Sequence, residues 1–390
     1  MQTIETTMKY YLIAGEASGD LHGSNLLKEL KKLDAHAHFR CWGGDKMEAA
    51  GATLVKHYRQ LAFMGFVEVI KNLRTIFKNL AYCKKDILIY APDTLILIDY
   101  PGFNLRIAKW ARQQGLRIIY YISPQVWAWK ENRVKAIKLH VDKLLVILPF
   151  EKSFYKKWDF EVEYVGHPLV QVIDEFIAMN TLGSAHPGDG RTGLPAYGSP
   201  VIALLPGSRK QEILKKLPVM LAVAVNFPDY HFALAKAPGI EDNFYDLLLS
   251  PYKNVSSVVN KTYELLAVAA AALVTSGTAT LETALFGVPE VICYKGNAIS
   301  FQIAKRLIKI KYICLVNLIM DKEVVKELIQ DDLTVNNITA ELKKILFDPV
   351  KKAQLEEDYL SLRNLLSKGG NASANAAKSI YGSMKGIVEA

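Results

Sequence analysis

What most constrains this chain is a repeated unit: a short, uninterrupted run of Val, Ile, Leu or Tyr, closed by Gly, Pro or Asp, then a stretch with helical spacing. Tyr10–Ala14 ends at Gly15 and precedes a helical segment over 21–32. Thr94–Ile98 ends at Asp99, Arg117–Ile122 at Ser123-Pro124, Lys143–Leu148 at Pro149, and Val201–Leu205 at Pro206-Gly207. Runs at 230–235, 255–259, 272–275 and 290–294 continue the pattern. Strands apolar on both faces need cover on both faces, which points to parallel sheets flanked by helices. The 390 residues suffice for about two or three domains. The segment TLGSAHPGDGRTGLPAYGSP, over 181–200, is rich in Gly, Pro and Ser and reads as a linker. The expected architecture is α/β, with two Rossmann-like doubly wound domains facing each other across a cleft. Residues 8–170 form the first, 171–200 the linker, 201–345 the second, and 346–390 a set of C-terminal helices broken at Gly369-Gly370. Ligands of such sheets bind beyond the carboxyl ends of the strands.

Composition narrows the class. Hydrophobic residues are 51% and charged residues 22% of the chain, which excludes long disorder. The longest apolar stretch, 265–274, is too short to span a membrane, and the N-terminus lacks the pattern of a signal peptide. Cys41, Cys83, Cys293 and Cys314 form no CxxC pair and no zinc spacing, so reduced thiols and no metal are expected. The net charge is +9, and residues 1–170 hold 25 basic against 17 acidic side chains, while the remainder is nearly balanced at 23 and 22. That asymmetry suits an anionic partner (nucleic acid, lipid surface or phosphorylated substrate) or no specific partner at all. No RNA-recognition or helix-turn-helix signature supports nucleic acid, and none is expected to bind. The Met64–Lys85 stretch sets Val69, Leu73 and Phe77 at helical spacing among Lys71, Arg74, Lys78, Lys84 and Lys85. It reads either as a core-facing helix with a solvated basic side or as a helix lying in a membrane interface.

Five strings carry chemistry. Gly15-Glu16-Ala17-Ser18-Gly19-Asp20 follows the first strand and opens a helix. It is either an anion-receiving turn or a tight turn capped by Ser18 or Asp20, and it is not the GxGxxG of a dinucleotide site. Asp99-Tyr-Pro-Gly-Phe-Asn104 places a carboxylate past a buried strand, as a general base or as a helix cap. Ser123-Pro-Gln-Val-Trp127-Ala-Trp129 sets aromatics after a strand end, for a sugar or acyl chain or for the core. Gly207-Ser208-Arg209 after one strand and Ser276-Gly277-Thr278 after another each offer backbone N–H groups at a helix start, and Arg209 adds a charged donor. Glu282, in the second turn of the latter helix, is placed for ribose hydroxyls. Two such turns in one domain point to a nucleoside diphosphate site, where either alone would not.

Together with Met64-Gly, Leu148-Pro-Phe-Glu151, Val165-Gly-His-Pro168, Ala304-Lys-Arg306 and Asn317-Leu, these strings occur in the order found in bacterial lipid-A-disaccharide synthases. The chain resembles that family from Met8 to near its C-terminus. The resemblance implies a GT-B fold and an inverting glycosyltransferase. Such an enzyme joins UDP-2,3-diacylglucosamine to 2,3-diacylglucosamine 1-phosphate, giving a β-1,6 disaccharide 1-phosphate and UDP, with no cofactor or metal. It implies a peripheral protein on the inner face of the cytoplasmic membrane, in contact with anionic lipids, and dimers are known in the family. Carried over to this chain, Asp99 is the base. Gly207, Ser208, Arg209, Ser276, Gly277, Thr278, Glu282 and Asn317 bind the UDP-sugar. Glu16, Ser18, Asn104 and Trp127 line the acceptor side, and Met64, Phe66, Val69, Leu73 and Phe77 meet the membrane or acyl chains. One departure stands out: Gly102 lies where many members carry an acidic residue. The competing readings are another UDP-sugar enzyme, such as a UDP-N-acetylglucosamine epimerase, a nucleic-acid-binding protein and a dehydrogenase.

Overall fold

The computed structural model describes residues 7–61, 73–129, 131–181, 194, 197–237, 239–296 and 311–388, with only the backbone at 73, 129, 181 and 385–388. The chain divides into two compact units, Met1–Pro168 with Ser367–Ala390, and Leu169–Leu366.

The first unit opens with β1 (Lys9–Ala14), α1 (Ala17–Leu33), β2 (His38–Gly43), α2 (Asp45–Ala49), β3 (Thr53–His57) and α3 (Leu73–Tyr90). It continues with β4 (Thr94–Ile98), α4 (Pro101–Gln113), β5 (Ile118–Tyr121), α5 (Val126–Trp129), α6 (Arg133–His140), β6 (Lys143–Val146), α7 (Glu151–Lys156) and β7 (Glu163–Tyr164). Its parallel sheet has the order β3-β2-β1-β4-β5-β6-β7 among the described residues. Alternation along each strand explains the uninterrupted apolar runs. Tyr11, Ile13, Leu95, Leu97 and Tyr120 pack with Leu80 and Ile87 of α3 and Ile107 of α4. Tyr10, Leu12, Ile96, Ile98 and Tyr121 face the other way, onto Leu26, Leu27 and Leu30 of α1. The central strands β1, β4 and β5 are therefore buried on both sides.

The second unit contains α8 (Pro168–Thr181), β8 (Val201–Leu205), α9 (Lys210–Ala222), β9 (His231–Lys236), α10 (Asp242–Leu249), β10 (Val255–Val259) and α11 (Thr262–Val268). Then follow β11 (Ala269–Val274), α12 (Thr278–Leu285), β12 (Glu290–Tyr294), α13 (Leu315–Met320), β13 (Lys326–Ile329), α14 (Val335–Phe347) and α15 (Pro349–Ser367). Its sheet order is β10-β9-β8-β11-β12-β13, again parallel.

Two boundaries differ from those read in the sequence. Residues 171–181 are helix rather than linker, because Leu169, Val170 and Ile173 bury one face of α8. The C-terminal helices divide: α15 belongs to the second unit, while the last helix, α16 (Ala372–Val388), returns to the first. There Ala376, Ala377 and Ile380 cover the Tyr10/Leu12 face of the sheet. The Gly369-Gly370 break makes this return fit. A Cβ on Gly369 would sit 2.3 Å from the Cα of Gly166, and one on Gly166 would sit 3.0 Å from the Gly370 carbonyl oxygen, so neither position has room for a side chain, while Gly370 turns the chain with a φ of +65°. Asn375 then donates to the Val165 carbonyl at 3.1 Å.

Candidate active site

In each unit the strand order reverses at one point, the place where doubly wound sheets bind ligands, and Asp99 and Asn104 in the first unit and the Gly207 and Gly277 turns in the second lie beside it. In the first unit that point lies between β1 and β4, which pair from Tyr10↔Thr94 to Ala14↔Ile98. Just beyond β4, Asp99 and Tyr100 adopt positive φ in succession, +44° and +50°. The left-handed region costs a non-glycine residue on the order of 1–2 kcal/mol, so neighbours must hold it. Asn104, fully buried in the first turn of α4, donates from Nδ2 to the carbonyl of Asp99 at 2.8 Å and reaches those of Ile98 and Ile13 at 3.2 and 3.3 Å. The Tyr120 hydroxyl donates to the same Asp99 carbonyl at 2.5 Å. The Tyr100 ring lies so close to Gly15 that a Cβ there would fall 2.3 Å from it.

The Asp99 carboxyl is half-buried in this arrangement. Burial raises its pKa, the negative charge of Glu16 raises it further, and a hydrogen bond from the Tyr100 N–H pulls it back, leaving it at about 7. A carboxylate poised there accepts a proton near neutral pH. The helix-cap alternative is not what the geometry adopts, since α4 begins with Tyr100 as its cap residue and has no side-chain cap. Ser18 is exposed in the first turn of α1. Asp20 does cap a helix, but a different one. Buried, it accepts from the N–H groups of Gly44, Lys46 and Met47 at 2.8, 3.1 and 3.1 Å, fixing the start of α2 to α1. At Gly102 an added Cβ would meet nothing within 4 Å, so the missing acidic side chain is not a consequence of crowding.

Trp127 takes the packing alternative: it is buried, its ring edge-on to Phe150 with centroids 5.0 Å apart. Met64, Phe66 and Val69 lie outside the described residues, and Leu73 opens α3. Phe77 is 62% exposed on that helix, in company with exposed Arg74, Lys78, Tyr82, Lys85, Leu88 and Ile89.

In the second unit the reversal lies between β8 and β11, whose ends pair at Leu205↔Val274. The two glycine turns are thus brought side by side, and the Thr275 N–H donates to the Leu205 carbonyl at 2.8 Å. Gly207 and Gly277 have φ of +108° and +145°, and each leads into a helix start, at Lys210 and Thr278. Ser208, Arg209 and Thr278 are exposed there, and the Ser276 hydroxyl donates to the Ile313 carbonyl at 2.9 Å. Arg209 pairs with Glu212 at 3.0 Å. Glu282 accepts from the Tyr263 hydroxyl at 2.8 Å, and burial raises its pKa. Asn317 is fully buried. Its Nδ2 donates to the Val325 carbonyl and to Glu327, and its Oδ1 accepts from the Val324 and Val325 N–H groups, so it fastens the approach to β13.

One residue at this point was not singled out in the sequence. Lys216 of α9 is 3% exposed and donates to the Thr275 hydroxyl. The signal was present: Ile213, Lys216, Leu217 and Met220 share one buried face, and a lysine on such a face is unusual.

With this geometry in place, the comparisons with known proteins agree with one another. A family model described as Lipid-A-disaccharide synthetase matches residues 10–380. The lipid-A-disaccharide synthase of Geobacter metallireducens is 39% identical over 368 residues, covering 92% of this chain and 93% of its own. The UDP-GlcNAc 2-epimerase of Neisseria meningitidis, solved bound to UDP-GlcNAc, superposes with a TM-score of 0.67 at 13% identity, over 97% of this chain and 99% of its own. The kitacinnamycin glycotransferase superposes with a TM-score of 0.64 at 15% identity, over 96% and 99%. Likeness at such identities speaks for the fold alone, the two Rossmann-like domains of the GT-B class. The family match rests on sequence over nearly the whole length, and by it the chain belongs to the lipid-A-disaccharide synthetase family.

Proposed function

We propose that this chain transfers the diacylglucosaminyl group of UDP-2,3-diacylglucosamine to the 6-hydroxyl of 2,3-diacylglucosamine 1-phosphate, with inversion, releasing UDP. Asp99 takes the hydroxyl proton as the oxygen attacks the anomeric carbon and the bond to the diphosphate breaks. One displacement needs one base, and no covalent enzyme intermediate forms. The observation that carries this reading is a half-buried carboxylate, its pKa held near 7, at the reversal point of a doubly wound sheet. Glu16 raises the basicity of Asp99, and Asn104 acts as a positioning residue for it. On the donor side, the N–H groups at the starts of α9 and α12 and the guanidinium of Arg209 receive the diphosphate and the charge it gains on leaving. Glu282, oriented by Tyr263, accepts from the ribose.

No described helix is long and apolar enough to cross a membrane. The exposed mixture of Phe77, Tyr82, Leu88 and Ile89 with Arg74, Lys78 and Lys85 on α3 supports contact with an anionic bilayer surface. In this reading the enzyme works at the inner face of the cytoplasmic membrane, where both acylated sugars reside.

The test supplies purified protein with both sugar substrates and no added metal, and mass spectrometry reads the products. A disaccharide phosphate that needs both substrates is expected. Its absence from folded protein that still binds UDP would turn the assignment toward UDP-sugar enzymes of non-acylated substrates.

A further inference from the structure

We propose that Lys216 is a buried cation of the diphosphate subsite, acting on the bound diphosphate from behind the two glycine turns through Thr275 and the Gly207 loop. The proposal rests on the reading of those turns as the donor site.

Lys216 lies on the buried face of α9, and helical side chains lean toward the helix N-terminus. Its ammonium therefore rises to the level of the turns. It donates to Thr275, the residue leading into Ser276-Gly277, and lies 3.7 Å from where a Cβ on Gly207 would stand. One side chain thus lies beside both turns that follow the central strands.

Nothing about packing requires a charge here. Methionine has a similar length and would fill the same space, whereas a buried ammonium is costly unless closely paired. Among the described residues its hydrogen bond goes to a neutral hydroxyl, and its nearest carboxylate oxygen, on Glu212, is 3.8 Å away. Glu212 is shared with Arg209, so this buried cation, beside two adjoining glycine turns that each lead into a helix start, is completed by an anion.

The surrounding charges agree. Burial lowers the Lys216 pKa, and Arg209, the cap residue of α9, and Lys215 on that helix lower it further. Glu212 on α9 and Cys293 on β12 act in the opposite sense. The end of β8 and the Gly207 turn add no titratable group. A diphosphate arriving on the turns favours the charged amine and raises this pKa again.

The test is calorimetric titration of uridine, UMP and UDP into the wild-type chain and Lys216→Met at low salt. The variant is expected to bind UDP about tenfold more weakly, UMP less affected, and uridine within about twofold, since only the charged part of the ligand feels the amine. The wild-type advantage is expected to narrow as pH rises through the lowered lysine pKa. Thr275→Val, which removes the hydroxyl that carries the amine, is expected to give the same ranking. Without ligand, Lys216→Met is expected to melt no lower than wild type, which separates binding from folding. Equal UDP affinity in the two proteins would overturn the proposal, and so would an equal loss for all three ligands, which marks a structural role. A wild-type chain that binds no UDP would instead overturn the donor-site reading, and the proposal with it.

Discussion

Replacing Asn104 by Asp keeps the side chain's shape and removes its N–H donors. The wild-type amide reaches three carbonyls, those of Asp99 at 2.8 Å, Ile98 at 3.2 Å and Ile13 at 3.3 Å, from a fully buried position. Two hydrogens can satisfy two of these well. The Asp99 carbonyl keeps the Tyr120 hydroxyl as a donor, and one buried carbonyl left without a donor, that of Ile98 or Ile13, costs about 1–3 kcal/mol, which is the loss expected in the first unit. For a unit of that size each kcal/mol lowers the melting temperature by roughly 2–4 °C, which places the shift at roughly 2–12 °C. The catalytic effect is separate. The same bonds hold Asp99 and Tyr100 in the left-handed region, and a displacement of about 1 Å at a reacting group costs on the order of a hundredfold in rate. The assay pairs a melting curve with steady-state turnover measured well below the melting range. Asn104→Ala leaves room for water to take over the donors and is expected to lose less stability than Asn104→Asp while losing comparable activity. Melting of Asn104→Asp within about 2 °C of wild type, or turnover within a factor of about three in the folded variant, would refute the argument that this amide holds the base in place.

Other consequences follow from the same geometry. Asp20→Ala strands the N–H groups of Gly44, Lys46 and Met47 and should destabilise the first unit by about 2–3 kcal/mol, read from thermal melting. His22 and His167 are both buried, and burial holds their pKa values at about 4 and about 3. Below about pH 6.5 the unfolded chain takes up protons that the folded histidines refuse, so their contribution to stability falls as pH drops. Asp99 and Glu151, raised to about 7 and about 8, act with the opposite slope above pH 4. The clean measurement is therefore a difference: His167→Gln should gain about 1.4 kcal/mol relative to wild type per unit of acidification between roughly pH 6 and 4, and a pH-independent difference would count against a neutral buried His167. Tyr263→Phe should raise the KM for the UDP-sugar several-fold and weaken discrimination against the 2′-deoxyribose donor. Unchanged discrimination would remove Tyr263 as the group that orients Glu282.

Much of the fold was legible because strands buried on both faces leave continuous apolar runs, and each run ended at the turn that matters: Gly15, Asp99, Pro206-Gly207, Thr275. What stayed illegible depends on contacts between distant parts of the chain. Asp20 caps a helix that begins more than twenty residues later, and Tyr120 secures a carbonyl 21 residues before it. Lys216 meets Thr275 across 59 residues. Turn chemistry over 182–200 hid the helix that precedes it, whose apolar spacing at Leu169, Val170, Ile173 and Phe176 was there to be read. The Ala-rich last helix shows an apolar stripe in its sequence, but nothing local tells which sheet that stripe will cover. Asn317, carried over by resemblance, lies buried and bonded to Glu327 and to the backbone of Val324 and Val325, so a family position does not by itself say whether a residue meets ligand or holds the site in shape.

The role of Asp99 as the base of the transfer is tested most directly by the pH dependence of kcat/KM for disaccharide formation. An acid limb with a midpoint near 7 is predicted, moving to lower pH in Glu16→Gln, where the charge that raises the Asp99 pKa is gone, and no measurable turnover in Asp99→Asn. A rate that stays flat from about pH 5 to 8, or an Asp99→Asn enzyme that still forms product at the wild-type rate, would contradict it.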